Sequence, residues 1–249
     1  MSDSLELFAL DGIPEVAPGD DLSEIMLHSA EHRSIQMGDI VVITQKIVSK
    51  AEGRLLSLRT VRPSEFAIQW AAQWDKDPRM VEVVLRESKR IVRMDHGIMI
   101  CETKHGFVCA NAGVDASNVS GEDVVCLLPE DPDASAMKIS QALSKALGFT
   151  VPVVITDSFG RPWRKGIINI AIGAAQLAIF ADYRGKVDTG GHELRVTVLA
   201  IADEIASAAE LLSRKLDKRP VVIVRGYMWE SAAGSAQELV MPPEQDMFR

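Results

Sequence analysis

Residues 157–165 place a carboxylate, a hydroxyl and three cations on one short stretch of chain. Asp157 and Ser158 directly follow the apolar run 151–156, and the cations behind them are Arg161, Arg164 and Lys165. Carboxylates at the end of a core strand often have functional roles in proteins that mix helices and strands. The stretch is either a solvated loop capped by Asp157, or a phosphate site where Asp157 holds a metal and arginines neutralise oxygens.

A second group of oxygen-bearing side chains lies in residues 111–118. Asp115, Ser117 and Asn118 follow a β-type segment, and Gly113 permits a tight turn before them. One interpretation is a turn whose polar side chains satisfy local backbone donors. The other makes Asp115 a ligand of a hard divalent cation and Asn118 a nucleotide contact, because magnesium prefers carboxylates combined with phosphate oxygens and water.

Lys50 and the loop 11–21 are weaker candidates for nucleotide contacts. Lys50 follows a strand and precedes Gly53, so it is either a solvated side chain or a contact to a β- or γ-phosphate. The loop 11–21 fits a turn-rich connection, and its backbone groups could also recognise a base edge. Neither GxxxxGK[ST] nor GxGxxG occurs, so any nucleotide is held in another way.

Short helices and strands that position these residues alternate along the chain. Ile40–Thr44, 151–156, 193–201 and 219–226 are predicted strands, and four β-type segments between 90 and 127 predict an antiparallel meander. Helices are predicted at the following stretches: after Asp20 and Asp21, 63–74, 78–89, 131–148, 168–179 and 202–216. Pro63 and Pro78 are placed in first turns, and Gly148 is placed at a helix C-cap.

This mixture predicts an α+β fold with mixed and antiparallel sheets flanked by helices. The αβ alternation is interrupted by the meander, which argues against a doubly wound order. Residues 1–249 are interpreted as a single domain, with two intimately associated subdomains left open.

The composition of the chain indicates which partners it could bind and in which compartment it would be found. A net charge of -8 argues against non-specific nucleic-acid binding, but a local basic patch for a small anion remains compatible with it. No apolar run reaches the length of a membrane span, and the first residues do not resemble a signal peptide. Cys101, Cys109 and Cys126 are predicted to be buried free thiols, which fits a cytoplasmic location.

Seven stretches, in order, resemble the coenzyme F-420-0:L-glutamate ligases, also called γ-glutamyl ligases. They cover about residues 9–226, and together they are far more specific than any one of them. The stretches are GIPEVAPGDDL, IVSKAEGR, AGVDASN, LLPEDPDASA, VVITDSFGRPWRKG, IADEIASAAELL and PVVIVRG.

The resemblance implies a GTP-dependent amide ligase with a fold specific to its family. GTP would phosphorylate the carboxylate of the coenzyme F-420-0 tail, and the α-amine of L-glutamate would attack the acyl phosphate. Further γ-linked glutamates would be added afterwards. The resemblance also implies an intertwined homodimer, Mg²⁺ or Mn²⁺ as cofactor, and K⁺ as an additional cation to be tested.

The resemblance also assigns roles to individual residues. Asp115 and Asp157 match metal-binding aspartates, and Ser158 stands where relatives have a threonine on a second metal. Asp157 and Lys50 are the predicted catalytic residues. The predicted GTP contacts are Ile13, Pro14, Glu15, Val16, Gln45, Lys50 and Asn118.

Two departures leave selectivity open. Gln45 replaces an expected serine, and the stretch 213–220 lacks the expected Gly-Lys pair, although Lys215 preserves a cation. From its composition alone, 213–220 is interpreted as a solvated connection. The alternatives to the implied activity are a ligase for another phosphorylated acid or amino acid, and a nucleotide-binding module without turnover.

Overall fold

A computed structural model describes residues 4–29, 35–117 and 121–247 of the chain. Its helices are α1 Leu22–Ser29, α2 Gln45–Ala51, α3 Glu65–Trp74, α4 Pro78–Glu87, α5 Pro132–Leu147 and α6 Ile201–Ser213. Its strands are β1 Glu6–Ala9, β2 Ile40–Thr44, β3 Leu55–Ser57, β4 Ser88–Asp95, β5 Ile98–Thr103, β6 Val108–Ala110, β7 Val124–Cys126, β8 Val153–Arg161, β9 Arg164–Ala175, β10 Phe180–Asp182, β11 Val198–Ala200 and β12 Val221–Arg225.

A five-stranded sheet in the order β1-β12-β2-β8-β9 forms the centre of the fold. Strands β2 and β8 run parallel, and the other neighbouring pairs are antiparallel. One face packs against α1 and α5 through residues such as Met26 and Leu143, and the other packs against α6 through Ile205. Residues 40–43 of β2, 153–155 of β8 and 221–224 of β12 are therefore entirely apolar, as strand segments buried on both faces must be.

A second cluster lies around the sheet β4-β5-β6, which packs against α3 and α4. Val83, Val84, Met99 and Cys101 are among its buried residues. Two two-stranded sheets, β3-β7 and β10-β11, and the isolated bridges Asp115–Cys126 and Val187–Glu193 complete the described pairing. The predicted mixed α+β class is confirmed.

Capping chemistry fixes several helix ends where the sequence predicted them. The Asp21 side chain accepts the backbone N–H of Ser23 at 2.8 Å at the start of α1. Asp131 caps α5 in the same way, and Gly148 ends it with a φ of 81°. Pro78 occupies the first turn of α4 as expected, but Pro63 does not, because Ser64 is the N-cap of α3 and Pro63 precedes it.

The predicted helix at 168–179 is wrong. These residues form most of β9 and the segment after it, and β9 pairs with β8 from Arg161–Arg164 to Val153–Ala175. Helix α5 and helix α6 cover opposite faces of the strand, so apolar residues are needed on both sides. A strand buried on both faces has the same continuous apolar pattern as a buried helix.

Two smaller predictions need correction. The fourth segment of the expected meander, β7, pairs with β3 instead of extending β4-β5-β6. In the predicted strand 193–201, Val198–Ala200 pair with β10, Glu193 forms an isolated bridge with Val187, and α6 begins at Ile201. Cys101, Cys109 and Cys126 are buried and free, as predicted. Among the described helices, none has the length and apolarity needed to cross a membrane.

Candidate active site

The parallel pair β2-β8 brings two chemically active segments to the same edge of the central sheet. Thr44 and Thr156 are register partners at the carboxyl end of this pair. Helix α2 starts immediately after Thr44, while β8 continues into Asp157 and Ser158. Side chains that are more than one hundred residues apart in sequence therefore line the same crevice, as is usual at the carboxyl ends of parallel strands.

A cavity of about 540 Å³ opens at this edge. Every predicted site residue that the structure describes lines it. These residues are Ile13, Pro14, Glu15, Val16, Gln45, Lys50, Asp115, Asp157 and Ser158. Asn118 lies outside the described residues, so its predicted role stays a prediction. The volume is in the range of small-molecule sites.

Positive charge is concentrated in this cavity, although the chain as a whole carries a net charge of -8. The cations in its wall are Lys46, Lys50, Arg214, Lys215, Lys218 and Arg219. The carboxylates are Glu15, Asp115, Asp157 and Glu210. Six cations face four carboxylates, so the site suits a ligand with several negative charges.

The source of these cations differs from the sequence interpretation. Four of them belong to the stretch 213–220, which had been interpreted as a solvated connection between α6 and β12. The cations at the turn between β8 and β9 do not line the cavity, since β8 and β9 carry that turn away from it. Arg161, Arg164 and Lys165 are thus separated from the Asp157 that precedes them in sequence.

Asp157 is half-buried and makes no salt bridge with any residue in the described ranges 4–29, 35–117 and 121–247. Burial raises the pKa of its carboxyl group from 3.8 to about 6, and the nearby charge of Asp115 adds to this rise. The Ser158 backbone N–H and the charges of Lys215 and Lys46 act in the opposite direction. A desolvated carboxylate in a cationic cavity is typical of functional sites.

Asp115 has the opposite electrostatic environment. Burial alone would raise the pKa of its carboxyl group, but hydrogen bonds from Lys46 and Ser117 outweigh burial and lower it. Lys46 Nζ lies 2.7 Å from Asp115 Oδ2, and the Ser117 backbone N–H donates to Oδ1 at 2.7 Å. Both carboxylate oxygens therefore already have protein donors.

Helix α2 supplies Lys50, whose side chain is buried. Its ammonium group forms an ion pair with Glu15, which belongs to the loop on the other side of the cavity. Gln45, at the start of the same helix, is also buried, and its side-chain oxygen accepts a hydrogen bond from Ser49 Oγ at 2.8 Å. The glutamine therefore has a fixed orientation in the cavity wall.

A polar network centred on Asn169 was not predicted from the sequence. Asn169 is buried in β9, where its side-chain oxygen accepts from Ser158 Oγ at 2.8 Å. Its side-chain amide donates to Glu210 at 2.9 Å, and Lys215 Nζ donates to Ser158 Oγ at 2.7 Å. Because 168–179 was interpreted as a helix, nothing indicated that Asn169 pairs with Ser158 in the strand register.

The oxygen atoms in the cavity suit a hard divalent cation that is also coordinated by oxygen atoms of a bound ligand. Asp115, Asp157 and Ser158 offer only oxygen atoms, and Asp157 has no salt-bridge partner among the described residues. In the described part of the chain, no group of three or more histidine, cysteine or acidic side chains is placed to hold a metal. Two carboxylates are enough for magnesium when phosphate oxygens and water supply the remaining positions.

Together, the mixed α+β scaffold and the cation-lined cavity with its acidic side chains have the features of an enzyme active site that suits an anionic ligand. The family model of the F420-0:gamma-glutamyl ligases matches residues 12–226, and the chain belongs to this family. The family consists of ligases, and the chain is an enzyme of that class, as the resemblance implied.

Curated relatives match the chain over nearly its full length. One from Methanothermobacter thermautotrophicus, named "Coenzyme F420:L-glutamate ligase", is 42% identical over 250 residues, covering 98% of this chain and 99% of its own. A relative of the same name from Methanopyrus kandleri is 45% identical and covers 94% of each chain. A third, from Methanocaldococcus jannaschii, is 44% identical and covers 86% of each.

Proposed function

We propose that the protein joins L-glutamate to coenzyme F420-0 in a GTP-dependent reaction. The γ-phosphoryl group of GTP is transferred to the carboxylate of the F420-0 tail, which gives an acyl phosphate and GDP. The α-amine of glutamate attacks the acyl carbon, the amide bond forms, and phosphate leaves. Further glutamates are then joined through γ-linkages. Family membership and relatives named as F420:L-glutamate ligases support this proposal.

The observation that carries the proposal is the convergence of the predicted residues on one cavity. The loop residues 13–16, the helix α2, and Asp157 and Ser158 of β8 all line it. The cavity is large enough for a small ligand, and its cations match a triphosphate.

Each group of residues then has a defined task. Ile13–Val16, Gln45, Lys50 and Asn118 bind and orient GTP. Asp115, Asp157 and Ser158 would hold Mg²⁺ or Mn²⁺, which would supply positive charge beside the transferred phosphoryl group. Since phosphoryl transfer depends mainly on positioning and charge stabilisation, Lys50 acts by placing its buried ammonium group beside the phosphates.

A ligation assay tests the activity. The protein is mixed with GTP, magnesium, L-glutamate and F420-0, and glutamate addition is followed by mass spectrometry. Addition of one or more glutamates that requires GTP is the expected result. Binding of GTP without addition would favour the nucleotide-binding module, and addition of a different amino acid would favour a related ligase. Repeating the assay with and without K⁺ shows whether a monovalent cation is also needed.

The variant Asp157→Asn tests the assignment of the site. The substitution keeps the shape of the side chain but removes the negative charge, so ligation should fall at least about 100-fold while the fold persists. Asp75→Asn is the matched control, because Asp75 is an exposed carboxylate after α3, and it should keep wild-type turnover. Wild-type turnover of Asp157→Asn at saturating magnesium would refute the assignment.

A further inference from the structure

We propose that Lys46 is an internal counterion of Asp115 which competes with the divalent cation and then transfers to the phosphates of the nucleotide. Cation and nucleotide would therefore bind cooperatively, with Lys46 as the coupling residue. This inference rests on the proposed function of the cavity, and it adds a positioning residue that also controls the order of binding.

The contacts of Lys46 resemble those of a bound cation. Its ammonium group lies 2.7 Å from Asp115 Oδ2, 2.7 Å from the Ser117 carbonyl oxygen and 3.0 Å from Ser117 Oγ. An ammonium group has three donors, and these contacts use all of them. A carboxylate, a carbonyl and a hydroxyl oxygen are also the ligand types that hard cations prefer.

Competition follows because the same oxygen serves both partners. Asp115 Oδ2 accepts from Lys46 and also from Ser117 Oγ at 2.8 Å, while Oδ1 accepts from the Ser117 backbone. A divalent cation that binds Oδ2 must displace the charge-assisted bond from Lys46, and one that binds the remaining lone pair of Oδ1 is still repelled by the adjacent ammonium charge. The side chain of Lys46 is 19% exposed and that of Asp115 is 42% exposed, so the lysine end of the pair is partly shielded from water, while water still reaches the carboxylate.

Ser158 shows the same arrangement on the opposite side of the cavity. Lys215 Nζ donates to its hydroxyl oxygen at 2.7 Å, so this predicted metal ligand is also hydrogen-bonded to a lysine. Asp157, by contrast, forms no salt bridge within the described part of the chain. Of the three predicted metal ligands, Asp115 and Ser158 therefore accept hydrogen bonds from lysine ammonium groups. At Asp157, a cation would not have to displace a lysine.

The displaced ammonium group has a natural acceptor in the same cavity. Lys46 and Lys50 are four residues apart on α2, and both line the cavity. A partly buried ammonium group that loses its carboxylate needs another anion, because an unpaired buried charge is costly. A triphosphate supplies that anion, and by thermodynamic reciprocity it must then strengthen binding of the cation.

Binding of Mn²⁺ to the nucleotide-free protein tests the competition without using activity. Free Mn²⁺ is counted by electron paramagnetic resonance for wild type, Lys46→Met, Ser117→Ala and Lys218→Met. Lys46→Met should bind Mn²⁺ about 10-fold more tightly or better, since a charge-assisted bond no longer has to break. Lys218→Met is the charge-matched control, because Lys218 is exposed at the cavity rim, and it should change the affinity less than about threefold.

Ser117→Ala separates competition from a general effect of charge. The variant keeps the net charge of the cavity but removes one acceptor of Lys46 and one donor to Asp115. We expect Mn²⁺ to bind about 2- to 5-fold more tightly, because Lys46 is held less firmly. An unchanged or weaker affinity in Ser117→Ala, or equal effects of Lys46→Met and Lys218→Met, would overturn the inference.

The coupling itself is measured with a non-hydrolysable GTP analogue. In wild type, the analogue should tighten Mn²⁺ binding more strongly than in Lys46→Met, by a factor of at least about 5. Equal factors in the two proteins would contradict the coupling. If none of the variants binds Mn²⁺, the inference fails, and the ligation assay on the wild-type protein still decides the proposed function separately.

Discussion

Asp115 and Asp157 line the same cavity, but their pKa values are shifted in opposite directions. The pKa of Asp115 is lowered because the donors Lys46 and Ser117 outweigh its burial. The pKa of Asp157 is raised because burial dominates and no salt bridge within the described residues compensates it. At neutral pH the protein thus holds one carboxylate whose charge is stabilised by several donors and one whose charge is destabilised by burial, and a bound cation would stabilise the second.

This difference predicts how stability depends on pH. The folded-state pKa of Asp157, about 6, exceeds the ordinary value of 3.8, so the folded state binds the proton more tightly than the unfolded state. Its contribution to stability is fully present below pH 3.8 and is lost as the pH rises through 6. Ionised Asp157 therefore costs up to about 3 kcal/mol at neutral pH in metal-free protein.

Asp157→Asn should remove that cost. Without metal at pH 7.5, the variant should be more stable than wild type by about 1 to 3 kcal/mol, and the difference should shrink towards pH 4. Urea unfolding at several pH values measures it, with Asp75→Asn as the charge-matched control. A difference that does not change with pH would show that Asp157 is not the desolvated carboxylate described above.

At the scale of elements, the sequence predicted the segments that have local signals. Strand β2, the N-cap Asp131, the C-cap Gly148 and the start of α4 at Pro78 all depend on residues that act within one turn. Strand β9 was mistaken for a helix because its apolar pattern reflects two helices that cover it from opposite sides. The pattern is caused by tertiary packing, and the periodicity of one segment does not reveal which other elements pack against it.

The same distinction explains which site residues were found. Asp115, Asp157, Ser158 and Lys50 follow segments that the sequence predicts as strands and stand out by residue type, so they could be predicted from the sequence. Asn169 could not be nominated, since its role depends on pairing with Ser158 across β8-β9. The cations of 213–220 resemble a solvated connection until the fold places them over the cavity.

Gly173 allows β9 to approach the start of α5. A Cβ atom at this position would lie 2.4 Å from the carbonyl oxygen of Pro132, which is a backbone atom and cannot rotate away. Gly173→Ala should therefore lower the free energy of unfolding by about 2 kcal/mol or more. Gly160→Ala in the neighbouring strand is the control, because nothing lies within 4 Å of its added Cβ and the position is exposed.

Chemical denaturation of the two glycine variants gives the comparison. Gly160→Ala should stay within about 0.5 kcal/mol of wild type. If Gly173→Ala were equally neutral, β9 and α5 would have to separate easily, and the packing that holds Asn169 and Ser158 in place would be looser than the contacts indicate.

At the scale of the whole molecule, the segment 180–200 stands out because none of its residues is buried. It contains β10, β11 and the turns between them, and several of its apolar side chains are exposed. Val187 is 65% exposed and Val196 is 87% exposed. Apolar surface of this kind marks interaction sites. We propose that a second copy of the chain covers it, which agrees with the homodimer that the family resemblance implies.

Val196→Asp tests this proposal. A carboxylate at the centre of an apolar contact would be desolvated without a partner, so the dimer should weaken by at least about 100-fold in its dissociation constant. Light scattering coupled to size-exclusion chromatography should then show a dimer for wild type and a monomer for the variant at micromolar concentration. Met37→Asp is the control, because Met37 is 78% exposed in a turn far from this segment in sequence, and it should stay dimeric. A monomeric wild type, or an unchanged dimer in Val196→Asp, would mean that the segment 180–200 does not contact a second copy.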